Sequence, residues 1–126
     1  MRTEATLQAP NSLLLVTTAD PPDIPVSIDP DTLTTQTLTC IAVGTMAEDD
    51  DEVTVVLSDE AIDDEQLSLA CETAMDGGVG FIAVETVLGE TVLRRSVPTG
   101  AMRVRVWASN LIEPDLVVVE FAERPS

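Results

Sequence analysis

The chain has 126 residues, with 23 acids against six arginines, no lysine and no histidine, and a formal charge of −17. That length suits one domain, residues 1–126, burying about two-thirds of its unfolded surface, and 44 % apolar content excludes disorder for most of it. The charge excludes DNA, RNA and anionic membranes as direct partners, because each meets repulsion where a binder needs Arg and Lys.

The start, MRTEATLQAP, lacks the apolar segment of a secretory leader, and no run of 18 apolar residues follows. The expectation is a cytoplasmic protein with nothing crossing a membrane. Residues 1–10 read as a frayed tail or an edge strand. From there the recurring pattern is period-2 alternation, which predicts strands over residues 12–18, 33–43, 53–58, 66–73, 79–87, 91–97, 102–109 and 116–121. Pro21, Pro22, Pro25 and Pro30 mark an irregular crossing loop. Asp76-Gly77-Gly78, Leu88-Gly89-Glu90 and Pro98-Thr99-Gly100 are turns. No window of a dozen residues repeats apolar positions at 3.6 spacing. Residues 63–69 could make one helical turn, but 58–66 reads better as an acidic loop. Eight short strands without helices predict an all-β fold, a two-sheet antiparallel β-sandwich, with a partly open barrel as the alternative.

Alternation also assigns faces. Val53, Val55 and Leu57 share one face, as do Leu67, Leu69 and Cys71, and these six are expected in the core. Val104 and Val106 face inward, leaving Arg103, Arg105 and Trp107 together on the opposite side. Cys40 and Cys71 lie among alternating apolar residues and read as buried free thiols, with a disulfide between them as the alternative. Two cysteines without histidine are too few for a zinc site.

The charge is unevenly spread. Residues 1–93 hold nineteen acids against Arg2, whereas residues 94–126 hold five arginines against four acids. Ten acids fall within residues 48–66, as Glu48, Asp49, Asp50, Asp51 and Glu52 before the strand at 53–58 and Asp59, Glu60, Asp63, Asp64 and Glu65 after it. Such a strand spans about 20 Å, so the two runs are expected at its opposite ends. Duplex DNA carries about one charge per 1.7 Å, so two rigid acid clusters can imitate a short polynucleotide toward a basic protein. Solvated loops that only aid solubility are the other reading. Calcium is the one metal worth testing, but these acids lack the spacing and turn glycine of an EF-hand loop, and no metal or cofactor is expected.

Without His, Tyr or Lys, acid–base chemistry would fall to carboxylates or to cysteines with no basic neighbour in sequence, and aromatic content of 2 % leaves little to stack on a sugar. A non-enzyme is expected. Trp107 beside Arg103 and Arg105 could anchor a partner, or pack as the second face of a buried strand under the arginine stems. Arg94 and Arg95 could pair with the acids of the same molecule.

The segment from Val97 through Pro98-Thr99-Gly100 and Met102-Arg103-Val104-Arg105-Val106-Trp107 to Ser109, followed by Glu113-Pro114-Asp115 and Leu116 to Phe121, resembles the C-terminal end of the competence-protein-J family and related small β-sandwich proteins. A Pro-x-Gly turn leads into an alternating strand, a short polar loop and a last apolar strand. The order of upstream features is similar, so the resemblance covers residues 12–121. Met102 departs from the pattern, which usually has an aromatic residue two after the glycine. The resemblance implies an inhibitor that binds a nuclease one to one, or an immunity protein that neutralises a toxin. The site residues named above rest on charge and exposure, not on the resemblance. The expectation is therefore an acidic inhibitor, monomer or weak homodimer, whose loops and Trp107 bind a basic nuclease or toxin. The alternatives are a structural or adaptor sandwich, binding through a sheet face or the 116–121 edge, and a small-ligand or calcium module.

Overall fold

The computed structural model describes residues 2–9, 13–19, 24–25, 33–45, 52–76, 80–97, 100–112 and 114–123. Among these lie ten strands and no helix: β1 (Arg2–Leu7), β2 (Leu13–Thr17), β3 (Thr34–Gln36), β4 (Cys40–Gly44), β5 (Val53–Ser58), β6 (Ser68–Asp76), β7 (Phe81–Thr86), β8 (Thr91–Ser96), β9 (Ala101–Ala108) and β10 (Leu116–Glu123). Of the expected turns, Pro21, Pro22, Pro30, Gly77, Gly78, Pro98 and Thr99 lie outside the described residues. The turn at Leu88-Gly89-Glu90 is present, with Gly89 at φ 85° and its amide bonded to the Thr86 carbonyl at 3.0 Å. A side chain is strained at that φ, which is why glycine stands there.

The strands form two five-stranded sheets, ordered β1-β5-β10-β9-β6 (sheet A) and β3-β4-β2-β7-β8 (sheet B). One buried cluster takes Leu14, Val16, Ile41, Val43, Ile82 and Val84 from sheet B and Val53, Val55, Leu57, Val104, Val106, Val117 and Val119 from sheet A, so the sheets face each other across a shared core. Period-2 alternation produced this layering, since each strand turns its aliphatic set to the same side.

Several expectations need correction. Among the described residues the strand count is ten, not eight, because residues 33–43 are two strands and the first residues take the edge-strand option, as β1. The break at 37–39 is a tight turn in which Thr37 N–H donates to the Cys40 carbonyl at 2.8 Å and the Thr37 hydroxyl accepts the Thr39 amide at 3.3 Å. A threonine does there what Gly or Pro usually signals. Sheet A is also not purely antiparallel, since β10 pairs with β5 in parallel, Val117 opposite Val55 and Val119 opposite Leu57. That places the 116–121 segment at the centre of the sheet and removes it as a binding edge. Finally, Leu67 is only half-buried and Leu69 is 45 % exposed. The register shifts between Leu69 and Cys71, a β-bulge that puts Leu69 and Cys71 on opposite faces and leaves Cys71 inside.

Candidate functional site

Parallel pairing of β5 with β10, and antiparallel pairing of β10 with β9 and β9 with β6, makes β5 and β6 parallel. A parallel connection must return along the length of the sheet. Here the returning segment is the acidic 59–67 connection, which passes over the outer face of sheet A. Its passage explains why outward-facing Val56, Ser58, Val118 and Glu120 are all at most 4 % exposed.

One hydrogen bond ties the crossover to the sheet, and local bonds shape its two ends. At its start the Ser58 hydroxyl accepts the Glu60 amide at 3.1 Å and donates to the Glu60 carbonyl at 3.2 Å. In the middle, the Ile62 amide donates to Glu120 Oε1 at 3.2 Å. Near its end, Asp64 Oδ1 accepts the Gln66 amide at 2.9 Å and the Asp64 carbonyl accepts the Leu67 amide at 3.1 Å. Glu120 is the central fastener, because it also accepts the Trp107 indole N–H at 3.1 Å and Arg105 Nη1 at 3.5 Å. A buried carboxylate with three donors is a satisfied one.

Glu120 belongs to a row that crosses the whole sheet, Arg2, Ser58, Glu120, Arg105 and Glu72, each opposite the next in register. Arg105 bridges the row by bonding Glu72 through Nε and Glu120 through Nη1. Its hydrogen bond holds the Glu72 carboxyl below the ordinary value, more than desolvation raises it, and the charges of Arg105 and Arg103 act in the same direction. The same bond pushes Arg105 upward.

The sequence-predicted residues can now be placed. Glu48, Asp49, Asp50 and Asp51 lie outside the described residues. Glu52 is exposed where β5 begins, and Asp59, Glu60, Asp63, Asp64 and Glu65 are exposed along the crossover. The second run thus starts at the far end of β5, as expected, but travels back across the sheet instead of staying at that end. Trp107 is half-buried, with its indole N–H committed to Glu120. Arg95 meets Asp59, with Nη1 3.8 Å from Oδ2, and lies over the Phe121 ring at 5.7 Å, while Arg94 stacks on Phe81 at 4.3 Å. Glu120 was missed, since an acid at an outward position of an alternating strand reads as surface. Its only signal is its isolation within a valine-rich strand.

Cys40 and Cys71 are buried thiols outside any disulfide. Burial pushes the Cys71 thiol up, with the Glu72 charge adding to it and a hydrogen bond to Thr34 opposing it, so this is the protonated, unreactive form at neutral pH. Among the described residues no group of three or more acids or cysteines is placed to hold a metal ion.

Fold and site together define a small two-sheet β protein that carries a pinned acidic crossover on one sheet. Among solved structures, ComJ of Bacillus subtilis, an inhibitor of the DNA-degrading activity of NucA, is similar with a TM-score of 0.67 and 12 % identity, over 97 % of this chain and 96 % of that one. The structure described as crocagin biosynthetic gene J is similar with a TM-score of 0.46 and 14 % identity, over 98 % and 96 % of the two chains. No family model and no curated protein sequence matches the chain. The resemblance read from the sequence therefore holds as a shared fold with ComJ.

Proposed function

We propose that the chain is an inhibitor that binds a cationic nuclease and occludes its nucleic-acid cleft with the acidic crossover. The observation that carries the reading is the pinning of that segment. Glu120 fastens the Ile62 amide, and Ser58 and Asp64 fix the turns on either side, so the exposed Asp63 and Glu65 are presented from a rigid support. Rigid charges bind at lower entropic cost than charges on a free tail. Likeness in fold to ComJ supports the same reading, since that protein inhibits a nuclease. Buried thiols outside any disulfide suit the cytoplasmic address expected from the sequence. The inhibitor acts without catalysis.

The test is a DNA-degradation assay with purified NucA and with basic nucleases of the source organism, titrated with the chain at low and physiological salt. Stoichiometric loss of nuclease activity, weaker in higher salt, is expected. Full activity of every nuclease at a molar excess of the chain sinks the proposal.

A further inference from the structure

One end of sheet A exposes apolar side chains that the acidic crossover does not use. Leu69, 45 % exposed, stands opposite Trp107 on the outer face. Two residues past Trp107 the chain leaves β9, and in the loop to β10 Leu111 is 50 % and Ile112 83 % exposed. This tip is stiffened from within. Ser109 Oγ donates to Asp115 Oδ1 at 2.8 Å and accepts the amides of Asp115 and Leu116, and Asn110 Oδ1 accepts the Ile112 amide at 2.9 Å. The Thr54 amide, bonded to the Asp115 carbonyl at 2.8 Å, ties the tip to the start of β5. Exposed Glu52 and Asp115 flank it, and in the sequence Glu113 lies within the loop.

Resting on the inhibitor reading, we infer that Leu111 and Ile112, with Leu69 beside Trp107, form the anchor that keeps the partner bound. The occupant is a cationic protein whose apolar recess receives the tip while its basic rim meets the surrounding acids. Charge complementarity selects this occupant. A second copy of the chain would bring two acidic rims together in a molecule of charge −17, at separations inside a Debye length of about 8 Å. The division of labour is physical. Acids speed encounter and confer salt dependence, whereas residence time comes from a small desolvated apolar centre. The internal bonds of the tip reduce the ordering cost of seating it.

Surface plasmon resonance separates the two roles, using NucA and the basic nucleases of the assay above as probes. The variants are Leu111→Ser/Ile112→Ser, Ile112→Thr alone, and Asp63→Asn/Glu65→Gln. For the tip variants dissociation is expected to accelerate, about tenfold for the double variant, with the association rate within about twofold of the original. The acid variant is expected to slow association and flatten its salt dependence while leaving dissociation unchanged. Unchanged dissociation in tip variants of normal thermal midpoint overturns the anchor and leaves the inhibitor reading standing. Failure of the unmodified chain to bind any of the nucleases overturns that reading and the anchor with it. Sedimentation showing a homodimer that Ile112→Thr dissolves also overturns the inference, because the tip would then serve a second copy.

Discussion

At the scale of single residues, Glu120 decides whether the acidic segment is a surface or a tail. Replacing it with alanine leaves the Trp107 indole, the Ile62 amide and Arg105 without the acceptor they share. Losing charge-assisted bonds at a buried position costs about 1.5–3 kcal/mol, so Glu120→Ala is expected to lower the denaturant midpoint accordingly. Since Trp107 is the sole tryptophan, its emission should shift to longer wavelength as water replaces the carboxylate, a change read directly by fluorescence. Glu72, at the far end of the same row, makes a weaker and pH-dependent contribution. Its folded-state carboxyl titrates below the ordinary value of 4.5, chiefly through the Arg105 hydrogen bond. The stability this adds is fully present above that value and disappears as pH falls through the lower, folded one. Denaturation of Glu72→Gln and the unmodified chain should therefore differ at neutral pH and converge in acid, and a difference that widens on acidification would contradict the pairing.

At the scale of elements, the central strands of sheet A carry the fold. Val117, Val118 and Val119 are each at most 1 % exposed, with β5 and β9 hydrogen-bonded on either side. Amide exchange is expected to be slowest in β10 and β9 and fastest in the outer strands β1, β6, β3 and β8, because edges open without global unfolding. Equal protection in β1 and β10 would contradict that hierarchy. Much of this architecture is legible in the sequence, since side-chain period read with the turn residues locates β5 to the residue and β7 and β8 within a few. Three features are not. The 37–39 turn is built by threonine, the bulge at Leu69 breaks the alternation that misplaced Leu67 and Leu69, and the parallel β5–β10 pair leaves no local trace because pairing partners are chosen by the tertiary fold. The site shares that last difficulty. Charge spacing identifies Asp59, Glu60, Asp63, Asp64 and Glu65, but only the topology reveals that they cross a sheet face, and only that crossing buries Glu120.

For the whole molecule, one quantity has opposite effects on folding and on binding. A charge of −17 opposes compaction through self-repulsion and draws a cationic partner through the same field. Salt weakens both effects, because raising ionic strength from about 0.01 M to about 0.15 M shortens the Debye length from about 30 Å to about 8 Å. The thermal midpoint of the isolated chain is therefore expected to rise over this range while its association rate with a cationic nuclease falls, and both trends should shrink in Asp63→Asn/Glu65→Gln. An adaptor whose acids only solvate it predicts the first trend without the second. Calorimetry and stopped-flow association on the same protein samples thus separate the two readings. A midpoint that rises with salt beside an association rate indifferent to it would assign these carboxylates to solubility, and the function would then have to rest on the apolar tip alone.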